Sequence, residues 1–189
     1  SLYKIIKIIK RNNPNIKNIY LPSFICEEVI SSLASFDLDI IFYKLNDDLS
    51  PNIHFLKEKL RKKSILLIVN YFGIMPDWSS IDIIKKDYKL ITIEDNCHSL
   101  NKEDGVGSYG DYSFNSLRKI IPLLSGSELK INIHGIETET NNPRVRLPNI
   151  DEIKCLLRFY RNKKNTKISM NRVKETEIIF SEKGIDYIS

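Results

Sequence analysis

Glycine and proline are scarce in this chain, at 7 each among 189 residues, and there are only 3 cysteines, 2 methionines and a single tryptophan. So few glycines and prolines exclude collagen-like and low-complexity architectures. The cysteines, Cys26, Cys97 and Cys155, lie far apart with no CxxC pair. Neither a disulfide framework nor a structural zinc site is therefore expected, and a reducing, cytoplasmic setting is. No apolar run approaches the roughly 20 residues that a membrane helix needs, and lysines interrupt the apolar stretch at the start, so no secretory leader is expected.

What is present is ordinary for a folded chain: 42% hydrophobic and 28% charged residues. The length suggests one domain, or one plus a fragment, able to bury a core without staples. The net charge of +5 is unevenly placed. Residues 154–174 hold eight Lys or Arg and no acid, which leaves −3 for the rest. Such a run reads first as a solvated helix face and second as a nucleic-acid or phospholipid patch. The first residue is Ser, directly ahead of a helical pattern, and the chain is read as a fragment or processed form.

Apolar spacing predicts a helix over 2–10, stopped by Asn12, Asn13 and Pro14. Strands are expected at 19–21, 39–43, 65–69 and 90–93, and helices at 26–33, 52–60 and 77–86. The alternation predicts an α/β fold with a mostly parallel sheet sandwiched by helices. Continuous apolar runs fit strands covered on both faces. Ligand sites in such sheets lie beyond the carboxyl ends of the strands. The informative residues should then be 22–26, 70–73 and 94–99. Further on, residues 103–110 read as a loop, 112–114 as a short alternating stretch and 128–133 as a strand. Residues 134–149 read as an irregular connection, and 150–161 and 172–181 as helices.

Two segments could carry chemistry. In Glu94-Asp95-Asn96-Cys97-His98-Ser99, two carboxylates and an imidazole leave a buried strand together, well placed for a cationic ligand group. The plainer alternative is a helix cap, with Asp95 or Asn96 accepting backbone N–H bonds. In Gly110-Asp111-Tyr112-Ser113-Phe114-Asn115-Ser116-Leu117-Arg118-Lys119, hydroxyls and an Arg-Lys pair could hold a phosphate, and Lys119 could form a Schiff base. Taken alone, Lys119 reads as a surface lysine. His54 reads as a surface residue, and His134 is given no role. A Cys97–His98 nucleophile lacks an orienting third group. Met75 and Trp78 read as core. Gly105, Gly107 and Gly110 follow a loop and form no nucleotide-binding fingerprint.

Taken together, these segments resemble the DegT/DnrJ/StrS-type sugar aminotransferases, PLP-dependent enzymes of fold type I. The resemblance runs from about residue 19 to 132. It includes Leu21-Pro22-Ser23-Phe24-Ile25-Cys26, Tyr71-Phe72-Gly73, the Glu94 to Ser99 segment and the Gly110 to Lys119 segment. It implies that Lys119 is the Schiff-base lysine and that Asp95 binds the pyridinium nitrogen of pyridoxal 5'-phosphate. It further implies that His98 lies near the ring hydroxyl and that Ser113 or Ser116 binds the phosphate. Glutamate would be the amino donor, a keto sugar nucleotide the acceptor and a homodimer the assembly. The expected setting is surface-polysaccharide or secondary-metabolite synthesis. Nothing implies a metal.

Several features depart from the pattern. Cys26 stands where many members place an aromatic over the cofactor ring. The glycine turn ahead of the first helix is absent, and Gly126-Ser127 replaces a glycine pair. On this reading residues 1–142 are a large domain incomplete at its N-terminus. Residues 143–189 are a helical connection toward a largely missing small domain. Two rival readings are a truncated or degenerate member without catalysis, and a basic α/β domain that binds nucleic acid through residues 154–174.

Overall fold

The computed structural model describes residues 1–99, 105–116, 119, 126–133 and 154. The described elements all belong to one unit, Ser1–Ile121 with Ser127–Thr140. A second unit takes Pro122–Gly126 and Asn141–Ser189, where only Gly126 and Lys154 are described. The expected helices at 150–161 and 172–181, the connection at 134–149 and, apart from Lys154, the basic run at 154–174 lie outside the described residues.

Five parallel strands form the sheet: β1 (Asn18–Pro22), β2 (Asp39–Tyr43), β3 (Ile65–Val69), β4 (Ile91–Asp95) and β5 (Tyr112–Phe114). A sixth, β6 (Leu129–Ile131), runs antiparallel to β5. The order is β2-β1-β3-β4-β5-β6, so the chain reverses its direction of travel across the sheet between β1 and β3. This makes a topological switch point, beyond whose strand carboxyl ends open α/β sheets bind ligands.

Alternation along the strands builds two cores. On one face Ile19, Leu21, Ile65, Leu67, Val69, Ile93, Tyr112 and Phe114 pack with Leu2, Ile5, Ile6 and Ile9 of helix α1 (Leu2–Asn12) and Val29 of the short α2 (Glu27–Ser31). The 3.6-residue spacing of the α1 isoleucines puts all of them on one stripe. On the opposite face Tyr20, Leu66 and Ile68 meet Leu56 of α3 (Ile53–Lys59) and Trp78, Ile81 and Ile84 of α4 (Trp78–Tyr88). Asn52 caps α3 by accepting the Phe55 N–H at 2.9 Å, and Asp77 caps α4 by accepting the Ser79 N–H at 3.0 Å. Each cap satisfies a backbone donor that a helix start leaves over.

Most bounds shift by one or two residues from expectation, and three of the differences bear on the site or have a visible cause. β4 runs to Asp95 rather than stopping at Ile93, because Glu94 and Asp95 are buried with partners. α2 is only 27–31, since the chain then tightens into turns closed by Leu33 N–H to Ile30 O and Phe36 N–H to Leu33 O. β6 is confined to 129–131. No described helix is long and apolar enough to cross a membrane.

Candidate active site

β4 delivers the central group. Asp95 ends the strand opposite Val69 of β3 and Phe114 of β5, and it is 5% exposed. Its Oδ1 accepts the Cys97 N–H at 2.9 Å. That bond closes a turn over 95–97 and caps no helix, since residues 96–99 are not helical, and it does not explain why a carboxylate is buried there. Burial pushes the Asp95 pKa upward, while the Cys97 N–H and thiol and the charges of Lys119 and His98 pull it down. A buried acid of this kind gains from a cationic partner, which removes the cost of its ionised form.

Lys119 is exposed, and its backbone N–H donates to the Ser116 carbonyl at 3.1 Å. Its charge pulls down the pKa values of Asp95, Cys97 and Cys26, which end or follow β4 and β1. Burial, followed by the Asp95 charge, drives the Cys97 thiol well above its ordinary pKa. Cys26 is exposed at the start of α2, and burial of its sulfur raises its pKa as well.

The loop after β3 adds an aromatic wall. Tyr71 is buried and its hydroxyl donates to the Phe24 carbonyl. The Phe24 and Tyr71 rings lie 5.7 Å apart. Burial, then the Asp95 charge, raises the Tyr71 pKa far above its usual value. His98 is exposed, with its ring stacked on Phe72 at 5.6 Å and 13° and tilted against Tyr71 at 6.2 Å.

The two serines divide. Strand register sets Ser113 opposite Glu94, so it faces away from Asp95. It is 3% exposed and its hydroxyl donates to the Gly107 carbonyl at 3.0 Å. Ser116, beyond the end of β5, is half-buried and precedes Lys119 by one turn. The structure thus gathers Asp95, His98 and Lys119 at one edge, with Ser116 in the same loop as Lys119. Ser113 lies on the other face of the sheet.

Sequence reasoning placed Asn70 and Glu94 within the informative ranges 70–73 and 94–99 but gave neither a role of its own. Glu94 is fully buried. Its Oε1 accepts the Asn70 Nδ2–H at 2.9 Å and the Gly107 N–H at 2.6 Å; its Oε2 accepts the Tyr109 and Gly110 N–H groups at 3.1 and 3.2 Å. Asn70 also donates to Asn96 Oδ1 at 2.5 Å, and its backbone N–H donates to the Asp95 carbonyl at 3.0 Å. This clasp ties the end of β3, both neighbours of Asp95 and the loop ahead of β5 into one unit. The available signal was Asn70, a polar residue directly after a five-residue apolar strand. Asp111 makes a second tie: it accepts the Thr92 N–H at 2.8 Å and pairs with Lys85 of α4 at 2.6 Å. Among the described residues no cluster of three or more His, Cys, Asp or Glu is arranged to hold a metal ion.

The mostly parallel six-stranded sheet and its helices match the fold of the PLP-dependent aminotransferases. Solved structures of the type that the sequence resembles share it. One is a DegT DnrJ EryC1 StrS aminotransferase from Brucella abortus, 16% identical over 82% of this chain and 52% of that one, with a TM-score of 0.59. Another is GDP-4-keto-6-deoxymannose-3-dehydratase (ColD) with bound GDP-perosamine, 18% identical over 88% of this chain and 56% of that one, at 0.58. A third is NtdA from Bacillus subtilis with bound PMP, 17% identical over 70% and 32%, at 0.56. The chain spans a third to just over half the length of these three structures. No protein-family model matches it, and no curated protein matches it by sequence.

Proposed function

We propose that the chain carries the cofactor-binding centre of a PLP-dependent aminotransferase acting on a keto sugar nucleotide. The observation that carries this reading is the buried Asp95 carboxylate at the end of β4, within the field of the Lys119 ammonium. The residues fit pyridoxal 5'-phosphate. Among the described residues none forms an ion pair with the buried Asp95, and a protonated ring nitrogen would supply one. The exposed Lys119 amine would attach the cofactor covalently, His98 would face its ring hydroxyl, and Ser116 would contact its phosphate. Ser113, on the other face, would act by fixing Gly107 and the loop around it.

When bound, the cofactor supplies an electron sink that lets an amino group pass between donor and acceptor. The chain's own part is to hold the ring nitrogen protonated through Asp95. It also moves a proton through Lys119 Nζ, first as base and then as acid. Glutamate as donor, a homodimer and a cytoplasmic location complete the proposal. The free thiols Cys26 and Cys97 suit a reducing compartment.

Incubation with PLP, borohydride reduction and peptide mass spectrometry provide the test. Stoichiometric labelling of Lys119 alone is expected. Labelling scattered over many lysines, or none, would overturn the assignment.

A further inference from the structure

Two consecutive aromatic residues close on one imidazole. In an extended segment Tyr71 and Phe72 would point to opposite sides, and only one could reach His98. Both reach it because Phe72 adopts φ 53° and ψ 25°, followed by Gly73 at φ 82°. A left-handed conformation is an outlier for a bulky residue. Burial does not offset the cost, since Phe72 is 70% exposed. Strain of this kind, beside a cleft, points to a task for the side chain. The two jaws differ: Tyr71 is buried and anchored to the Phe24 carbonyl, whereas Phe72 is exposed and stacks on His98.

We propose that Phe72 is a positioning residue whose ring, working against Tyr71, clamps the His98 imidazole in its orientation beside Asp95. What His98 does there rests on the cofactor reading above. The clamp itself can be measured without cofactor.

Histidine side-chain NMR on the full chain reads the clamp directly, with His98→Gln identifying the resonance. In the wild type the His98 ring protons should be shifted upfield relative to those of the exposed His54. Phe72→Gly removes the ring and accepts the left-handed backbone, so it should abolish that shift without lowering the melting temperature. Phe72→Tyr should retain the shift. The PLP dissociation constant should rise roughly two- to tenfold in Phe72→Gly and stay near wild type in Phe72→Tyr. An unmoved His98 resonance in Phe72→Gly would overturn the proposal, as would a moved resonance with unchanged PLP affinity. If the wild type takes up no PLP, the cofactor reading falls, and the resonance alone decides the clamp.

Discussion

At the scale of single residues, the burial of Asp95 carries a cost in stability. Burial raises its pKa in the folded state, so its ionised form destabilises the apo fold. The sign follows from linkage: stability is lost as pH rises from the ordinary aspartate value, about 3.9, through the raised folded value. Asp95→Asn should therefore melt at a higher temperature than wild type at neutral pH without cofactor, and the gap should close in acid. The same variant should bind PLP about tenfold more weakly or worse, because a charged hydrogen-bond partner is lost. Thermal melts across pH, alongside a PLP titration, check both halves; a less stable variant at neutral pH would refute the burial argument. The thiols offer a second check. The thiolate is the reactive form, and Cys97 is both more enclosed and closer to the Asp95 charge than the exposed Cys26. Iodoacetamide at pH 8 should modify Cys26 faster than Cys97 by about tenfold or more, as followed by mass spectrometry; equal rates would contradict this.

At the scale of elements, the Glu94 clasp defines how the carboxyl edge is built. Each carboxylate oxygen accepts two N–H groups. In Glu94→Gln one oxygen is replaced by a donor, which leaves two N–H groups facing an N–H. The expected loss is about 2–3 kcal/mol in urea unfolding. Faster hydrogen exchange should be confined to the amides of the 107–110 loop. Uniformly faster exchange across the sheet would show that Glu94 acts on global stability alone. This element also explains what the sequence disclosed and what it hid. The five-residue run of β3 and the isoleucine stripe of α1 were readable because each repeats one physical choice at one period. β4 was cut two residues short because Glu94 and Asp95 read as a strand end. Their partners, Asn70, Gly107, Tyr109 and Cys97, lie 2 to 24 positions away and follow no period. For the same reason Asp95, His98 and Lys119 were found through motif order, whereas the Phe72 kink and the inward turn of Ser113 needed coordinates. Ser113 shows the limit well: its residue type suits a phosphate, and only the β4–β5 register reveals which face it occupies.

At the scale of the whole molecule, the sheet assembles from distant pieces of chain. The strand between β1 and β4 is β3, and the parallel pairings join segments tens of residues apart. The carboxyl edge that carries Asp95 is thus complete only once β1, β3, β4 and β5 have all docked. No isolated loop could bring Phe24, Tyr71, Asp95 and Lys119 together, because they end or follow four different strands.

The far side of the sheet has a different consequence. β2 is the edge strand, and no described strand covers its outer rim; it reads Asp-Ile-Ile-Phe-Tyr, with Phe42 45% exposed. Open backbone groups beside an apolar, β-branched segment form a template for intermolecular pairing, guarded here by one acid at the strand start. This rim should limit how concentrated the protein can be made. Phe42→Lys should slow the rise of light scattering on warming and leave PLP labelling at Lys119 intact. If scattering is unchanged, self-association begins elsewhere on the surface.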